Sequence, residues 1–491
     1  MTLFWPKALA YFLLALVALT LFAWFVLLRP VPQPRVNDPI QSFNHGSIGN
    51  EQEQGLPYWI WRVLPQMFPE HMPANQDGYA AFGHYWRAGE ELPVGFSKKT
   101  LGVIPRVSVN CAFCHQGSYR LRPDDPSTLV PGGPGTRVNP QGYLRFLSKA
   151  GQDARFTSAN VMGEITAIYD MPLWERLLYR LVLIPLTKKA LEAQAVRYAW
   201  TYDRPDWGPG RIDPFNPVKY YNLKMGDDRT IGNSDIMPLW ALNHGARDGS
   251  RDAAFHWDGL NTNLHEVVVS GAIGDGMTYK TFPSVEKRLT VIEDWIRLQP
   301  PPRSPFSSRR PPDDPYYVDP RQVQYGKALY GKYCADCHSA GGPRFRTVIP
   351  AIELGTDRHR LDMWTSEAVR RYTAYQDEYP WGFKSFQNID GYVATEHTGL
   401  WLKGPYLHNG SVPTLRDLLN APEQRPQVFY RGWDLVDAVN GGFVSQADAD
   451  VERYGWLYDT RLPGNGNAGH LFGTNLSSDD KERLLAYLKT L

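Results

Sequence analysis

The sequence is poor in cysteine, with four among 491 residues, and has almost no net charge: 52 Lys and Arg stand against 51 Asp and Glu, a formal +1. That balance excludes a basic field for reading phosphates, so nucleic acid is not expected as a partner. There is no acidic tail, no short-period repeat and no run with EF-hand spacing. A disulfide framework is excluded too, because two copies of one pattern take all four cysteines: Cys111-Ala-Phe-Cys114-His115 and Cys334-Ala-Asp-Cys337-His338.

Cys-x-x-Cys-His is the attachment signal of c-type haem. Two thiols at this spacing add across the two vinyl groups, and the adjacent imidazole binds the iron. Zinc knuckles and thioredoxin-like pairs also use Cys-x-x-Cys, but knuckles sit close together, whereas these copies lie 223 residues apart, each with His next. Two covalently bound haem c groups are therefore expected, held by Cys111, Cys114, Cys334 and Cys337, with His115 and His338 as iron ligands.

Residues 8–28 carry no charge over 21 positions, enough at about 1.5 Å per residue to cross a bilayer core. No small-x-small cleavage site precedes Arg29, so an uncleaved signal anchor in a bacterial inner membrane is expected. The flanking charges do not orient it, but haem c is attached on the outer side of that membrane, which puts the rest of the chain in the periplasm. Pro-Val-Pro-Gln-Pro after the anchor reads as a stiff spacer.

Residues 300–315 hold seven prolines in sixteen positions, a density that no helix or central strand survives. Four parts are expected: 1–35, anchor and spacer; 36–299, an N-terminal haem c domain; 300–315, a Pro-rich linker; and 316–491, a C-terminal cytochrome c domain. The expected fold class is mainly α, two cytochrome c-like haem domains with long loops behind one N-terminal transmembrane helix. Apolar spacing predicts a helix over 324–333, leading into Cys334, and a second after the cap at Ser477. Ile104–Asn110 alternates like a strand. Residues 172–200 form an apolar-rich helical stretch interrupted at Pro185; with Tyr58–Trp61, it reads as core, as a greasy channel wall or as a membrane-touching face.

An iron with one protein ligand binds peroxide or dioxygen, whereas one with two mainly passes electrons. For the second ligand of the His338 haem, the candidates are His359, His397, His408, His470 and Met363. Arg358-His359-Arg360 reads as solvated surface, while His470 lies in a Gly-rich loop that allows close approach to a flat cofactor.

Gly404-Pro-Tyr-Leu-His408-Asn-Gly resembles a motif of the di-haem cytochrome c peroxidase and MauG superfamily. Arg229 through Asn243, Phe255-His-Trp-Asp-Gly259 and Leu264-His-Glu266 resemble that superfamily's N-terminal motifs, in the same order across about 110–490. Leu260 stands where those peroxidases carry Arg, and His265 stands at their distal Glu, with Glu266 next. No His occurs between His115 and His244, and Pro422 replaces the expected Met ligand. These departures, with Asn-Ala-Gly-His470-Leu-Phe-Gly, make the chain more similar to the rubber-oxygenase (RoxA-like) branch, where the C-terminal haem is bis-His and the N-terminal haem binds dioxygen to cleave a carbon–carbon double bond. The resemblance implies His470 as second ligand of the His338 haem. Ca2+ between the domains is carried by the peroxidase relatives alone.

The expected function is a membrane-anchored redox enzyme that activates H2O2 or O2 at the His115 haem, with the His338/His470 haem relaying electrons. Its partners would be the small oxidant and a redox protein or organic substrate. His265 and Glu266 are the distal acid/base candidates and Trp257 the candidate relay. If His265, His244 or Met237 ligates the first iron, the chain is instead an electron-transfer cytochrome.

Overall fold

The computed structural model of the protein describes residues 4–25, 29, 38–76, 78–240, 242, 254–374 and 381–491, with side chains from Lys7 onward. The Pro-rich spacer at 30–34, Asn243 and His244 lie outside the described residues.

The N-terminal apolar run forms helix α1 (Phe4–Ala23), whose side chains stay exposed, Leu9 at 59% and Phe12 at 65%. From Lys7 to Ala23 it rises about 25 Å at about 1.5 Å per residue, against the roughly 30 Å of bilayer hydrocarbon. Among the described residues, no helix is long and apolar enough to cross a membrane. The transmembrane helix expected over 8–28 is therefore corrected: the α-helical part of that run ends at Ala23.

The mainly-α expectation is corrected as well. Helix accounts for 44% of the structure, and the described strands form five small antiparallel sheets. With 40 prolines and 43 glycines, the chain breaks into short elements that pair locally. Strands β1 (Leu56–Pro57), β2 (Phe96–Leu101) and β3 (Ile104–Val109) pair in the order β1-β3-β2, with Phe96 opposite Val109. β3 is the alternating segment before the first haem motif. The other sheets are two-stranded: β4 (Gln116–Tyr119) with β5 (Thr128–Pro131), β6 (Arg211–Ile212) with β7 (Ser234–Asp235), β8 (Val348–Pro350) with β9 (Gly391–Val393), and β10 (Val428–Arg431) with β11 (Trp456–Asp459).

The helices that frame the sites are α2 (Pro140–Gln152), α3 (Leu173–Leu178), α4 (Ile184–Arg197), α5 (Leu264–Gly274), α6 (Glu286–Leu298), α7 (Pro320–Tyr333) and α8 (Ser478–Leu488). A π-turn, Tyr179–Leu183, joins α3 to α4 without a break and ends just before Pro185, whose missing N–H cannot continue an ordinary ladder. Tyr58, Ile60 and Trp61 are buried, so that aromatic run is core. One of the two large apolar clusters joins Phe255, Leu264 and Val269 to Trp364, Tyr372 and Phe386, from either side of residues 300–315. Within that Pro-rich segment, Phe306 is buried against Trp401 and Tyr316.

Helix α7 starts at Asp319, whose carboxylate accepts from Arg321 N, and α8 at Ser477, whose hydroxyl accepts from Asp480 N. The two helices pack face to face and cross at Gly326, where a Cβ would stand 2.0 Å from the Arg483 carbonyl oxygen. Gly326→Ala is expected to push α8 outward and to lower stability by about 1–3 kcal/mol, the usual range for overpacking, as read by urea unfolding.

Candidate haem sites

The first motif begins where β3 ends. Asn110 caps the one-turn helix Cys111–Cys114: its side-chain oxygen accepts from Ala112 N at 3.0 Å, while its Nδ2 donates to the Asn44 and Gly46 carbonyls at 3.2 and 3.1 Å. Gly95 lets the neighbouring backbone close on this turn, since a Cβ there would lie 2.4 Å from Phe113 Cα. His115 Nδ1 donates to the Met237 carbonyl at 2.9 Å. A carbonyl only accepts, so the proton sits on Nδ1 and the Nε2 lone pair is left for a metal. Burial holds the ring at a pKa of about 4, hence neutral. The four cysteines form no disulfide, and burial pushes the Cys111 thiol up to about 12, unlike a reactive redox pair.

Cys111, Cys114 and His115 open onto a cavity of about 1080 Å3. One wall carries Leu144, Leu147, Leu183, Leu186 and Leu191 from α2, the π-turn and α4; another carries Val267, Val268 and Ile273 from α5. His256 and Trp257 also line it. Sequence reasoning did not single out His256. It is half-buried, with its Nε2 buried and unpartnered, sits in the left-handed region at φ 64° and is kept neutral by desolvation, at about 4. Its place inside Phe255-His-Trp-Asp-Gly259 was the available signal.

His265 and Glu266, the distal candidates, do not line this cavity. His265 projects from the outer side of α5, its side chain 44% exposed, with Nδ1 2.8 Å from Glu293 Oε2; that hydrogen bond raises its pKa. Glu266 is buried and accepts from Asn261 Nδ2, Lys384 N, Ser385 N and Ser385 Oγ, so its oxygens tie loops together. Trp257 sits at the seam between the two motifs. Its indole N–H donates to the Asp235 carbonyl at 2.7 Å, two residues from Met237, and its own carbonyl accepts from Val393 N at 2.8 Å, two residues from Thr395.

Thr395 is where the second site connects. His338, at the end of the one-turn helix Ala335–His338 that follows α7, donates Nδ1 to the Thr395 carbonyl at 2.6 Å, so its Nε2 is likewise left free. Two histidines lie near it. His397 stacks flat on the His338 ring at 3.7 Å and 16°, too close for any atom to fit between the two rings. The His470 ring centre is 6.3 Å away, tilted by 49°, which leaves room for one metal between the rings when each metal–nitrogen bond is about 2.0 Å. His470 Nδ1 is buried without a partner, and burial lowers its pKa to about 3.

The His470 loop is held closely. Gly469 abuts residues 354–356, where a Cβ would lie 2.4 Å from Gly355 C, and His470 N donates to the Leu354 carbonyl. Buried Arg425 donates Nη1 to the carbonyls of Asn467 and Gly469, at 2.6 and 2.9 Å. The other candidates are elsewhere: His408 stacks on Tyr392 at 3.9 Å, half-exposed His359 pairs with Asp357, and Met363 belongs to the main core.

These residues fit haem c. Each motif offers two thiols beside a neutral imidazole with a free Nε2, and the first opens on a cavity of the volume a large cofactor needs. Arg360, on its wall, keeps Nη1 buried and unpartnered, a donor suited to a cofactor carboxylate.

Residues 391–430 match the family described as RoxA-like, cytochrome c-like. This segment holds β9, Thr395, His397, His408 and Arg425, which surround the His338 side of the structure. It links the chain to the haem cytochromes c and implies haem c binding. The chain is also 24% identical, over 527 aligned positions covering 85% of each protein, to "Uncharacterized protein y4iJ" of Sinorhizobium fredii (strain NBRC 101917 / NGR234). "Uncharacterized protein y4iM" of the same strain is 30% identical over 201 positions, 35% of this chain and 45% of that protein.

Asp275, also on the cavity wall, is raised by burial from 3.8 to about 7. Between about pH 4 and 7, the unfolded chain releases a proton that the folded one keeps, so the folded state loses stability as pH rises through that window. The loss reaches about 4 kcal/mol at about 1.4 kcal/mol per pH unit. Asp275→Asn is expected to flatten this slope in urea unfolding measured across that range.

Proposed function

We propose that the chain is a di-haem c-type redox enzyme that activates H2O2 or O2 at the His115 haem, while the His338/His470 haem relays electrons. The observation that carries this reading is the difference between the two centres: the His470 ring centre lies 6.3 Å from that of His338, whereas His115 faces a large apolar cavity. Bound at His115, haem supplies an iron with an open face to a small oxidant.

The chain's own residues then divide the work. His115, its ring oriented by the Met237 carbonyl, would hold the metal through Nε2. His256, neutral and a lining residue of the same cavity, is the proton-handling candidate in place of His265. The leucines of α2 and α4 keep water away from the reacting face. Trp257 supports the relay, since one indole bridges the backbone segments that orient the two motif histidines. Because haem c is attached outside the bacterial inner membrane, the reading places these centres in the periplasm. Substrate and redox partner are proposed only as a small oxidant and an electron donor or organic reductant.

One observation favours the electron-carrier alternative: His256, whose Nε2 has no partner, is a lining residue of the cavity that His115 opens onto. Optical and EPR spectra of the haem-loaded protein decide. The enzyme reading expects one high-spin ferric component that shifts with cyanide, and one low-spin component that turns high-spin in His470→Ala. Two low-spin haems inert to cyanide, with one turning high-spin in His256→Ala, would establish the carrier instead. Trp257→Phe, which removes the indole donor, is expected to slow electron transfer between the centres by about tenfold, equivalent to about 1.4 kcal/mol, in flash-reduction kinetics.

A further inference from the structure

Between residues 172 and 197 the molecule presents an apolar face that no other described element covers. Leu173 is 74% exposed, Leu177 49%, Leu181 67% and Leu186 59%, with Trp174 beside them at 48%. In a plain α-helix, Leu181 and Leu186 would fall on different sides. The π-turn Tyr179–Leu183 absorbs one extra residue, so Leu177, Leu181, Leu186 and Ala190 follow one another along a single exposed stripe. That stripe does not end on the surface: Leu186, Ala190 and Ala193 are also lining residues of the His115 cavity, so the exposed face continues into its mouth.

Charge says what covers it. Residues 172–197 carry Arg176, Arg180, Lys188, Lys189 and Arg197 against Glu175 and Glu192, a local excess of three cations in a chain whose total is +1. Glu175 is buried and Arg176 pairs with exposed Asp170 at 3.1 Å, so Arg180, Lys188 and Lys189 carry the positive charge of the rim. Leucine and tryptophan on one face, flanked by lysine and arginine, is the pattern of a helix lying in a membrane interface, where apolar burial and attraction to anionic headgroups act together. A second copy of the chain would bring an equally basic rim and gain no such complement.

We propose that the α3–π-turn–α4 helix docks in the plane of an anionic phospholipid surface, with the mouth of the His115 cavity turned toward the lipid. This goes beyond the redox reading and does not depend on it, because it rests on surface and charge alone.

The test uses the full haem-loaded chain, with the photo-crosslinking residue benzoylphenylalanine placed at position 177 or 181, or at exposed position 124 as control. A crosslinker reports which face meets lipid even where α1 also touches the vesicle. With vesicles of one-third phosphatidylglycerol in phosphatidylcholine, positions 177 and 181 are expected to give lipid adducts several-fold above position 124. Arg180→Glu with Lys189→Glu should lower that yield at least fivefold, about the effect of one interfacial cation. Equal yields at 177, 181 and 124 would overturn the proposal, as would protein–protein crosslinks at 177 in place of lipid adducts, which would make the stripe a contact between copies.

Discussion

Two backbone carbonyls determine how both candidate centres are built. Met237 and Thr395 each accept the Nδ1 proton of a motif histidine, at 2.9 and 2.6 Å. Each bond fixes the tautomer, turns the ring and leaves Nε2 as a lone pair. Burial then keeps both rings neutral, near 4, so that no proton competes with a metal in the physiological range. Much of the surrounding structure serves to place those two carbonyls. Met237 follows β7, paired with β6, and Thr395 follows β9, paired with β8. Small sheets that a cytochrome c reading of the sequence did not anticipate are thus the supports of the metal ligands.

The two supports are joined through few residues. Asp235 carries three links: its N–H donates to the His408 carbonyl, its carbonyl accepts from Trp257, and its carboxylate pairs with buried Arg431. Buried Asp434 similarly binds Arg120 and Arg137 from the other side of the chain. Ion pairs in such surroundings add little net stability, because desolvation offsets most of the attraction, but removing one partner strands a charge. Their effect here is positional: they hold the 431–434 segment against residues 120, 137 and 235 of the first half in one register, and with them the path from Met237 through Trp257 to Thr395.

What the sequence revealed follows from where the chemistry is local. Cys-x-x-Cys-His and its adjoining helix or strand are contiguous, so α7, β3 and both attachment motifs were legible residue by residue. Capping is local too, and Ser477 announced α8. His470 was reachable because the glycines around it signal a backbone that must approach something closely, and the structure shows Gly469 against Gly355. His265 stands away from the cavity because position along a motif does not specify which side of a helix a residue takes. On α5 one face goes to the cavity through Leu264, Val267 and Val268, and His265 is turned to Glu293. His256 was missed because its direction depends on a left-handed backbone conformation that composition does not announce. The 8–28 run misled on length, since an uncharged stretch does not say where its helix stops.

The asymmetry between the centres comes from what faces each free Nε2. Opposite His338 is a loop: Gly469 permits close packing, Arg425 fastens its carbonyls, and the imidazole of His470 is delivered at a set distance. Opposite His115 are helices, and helices in this part of the chain turn leucine, valine and alanine toward the cavity. A loop rich in glycine and polar anchors is suited to supply a second ligand; an apolar helix wall is suited to enclose space and exclude water. Among the described residues, His256 is the one histidine besides His115 that lines this cavity, and it stands on a loop bend, not on a helix. Among the described residues, whether the first centre reacts or conducts therefore depends on the reach of that imidazole from its bend.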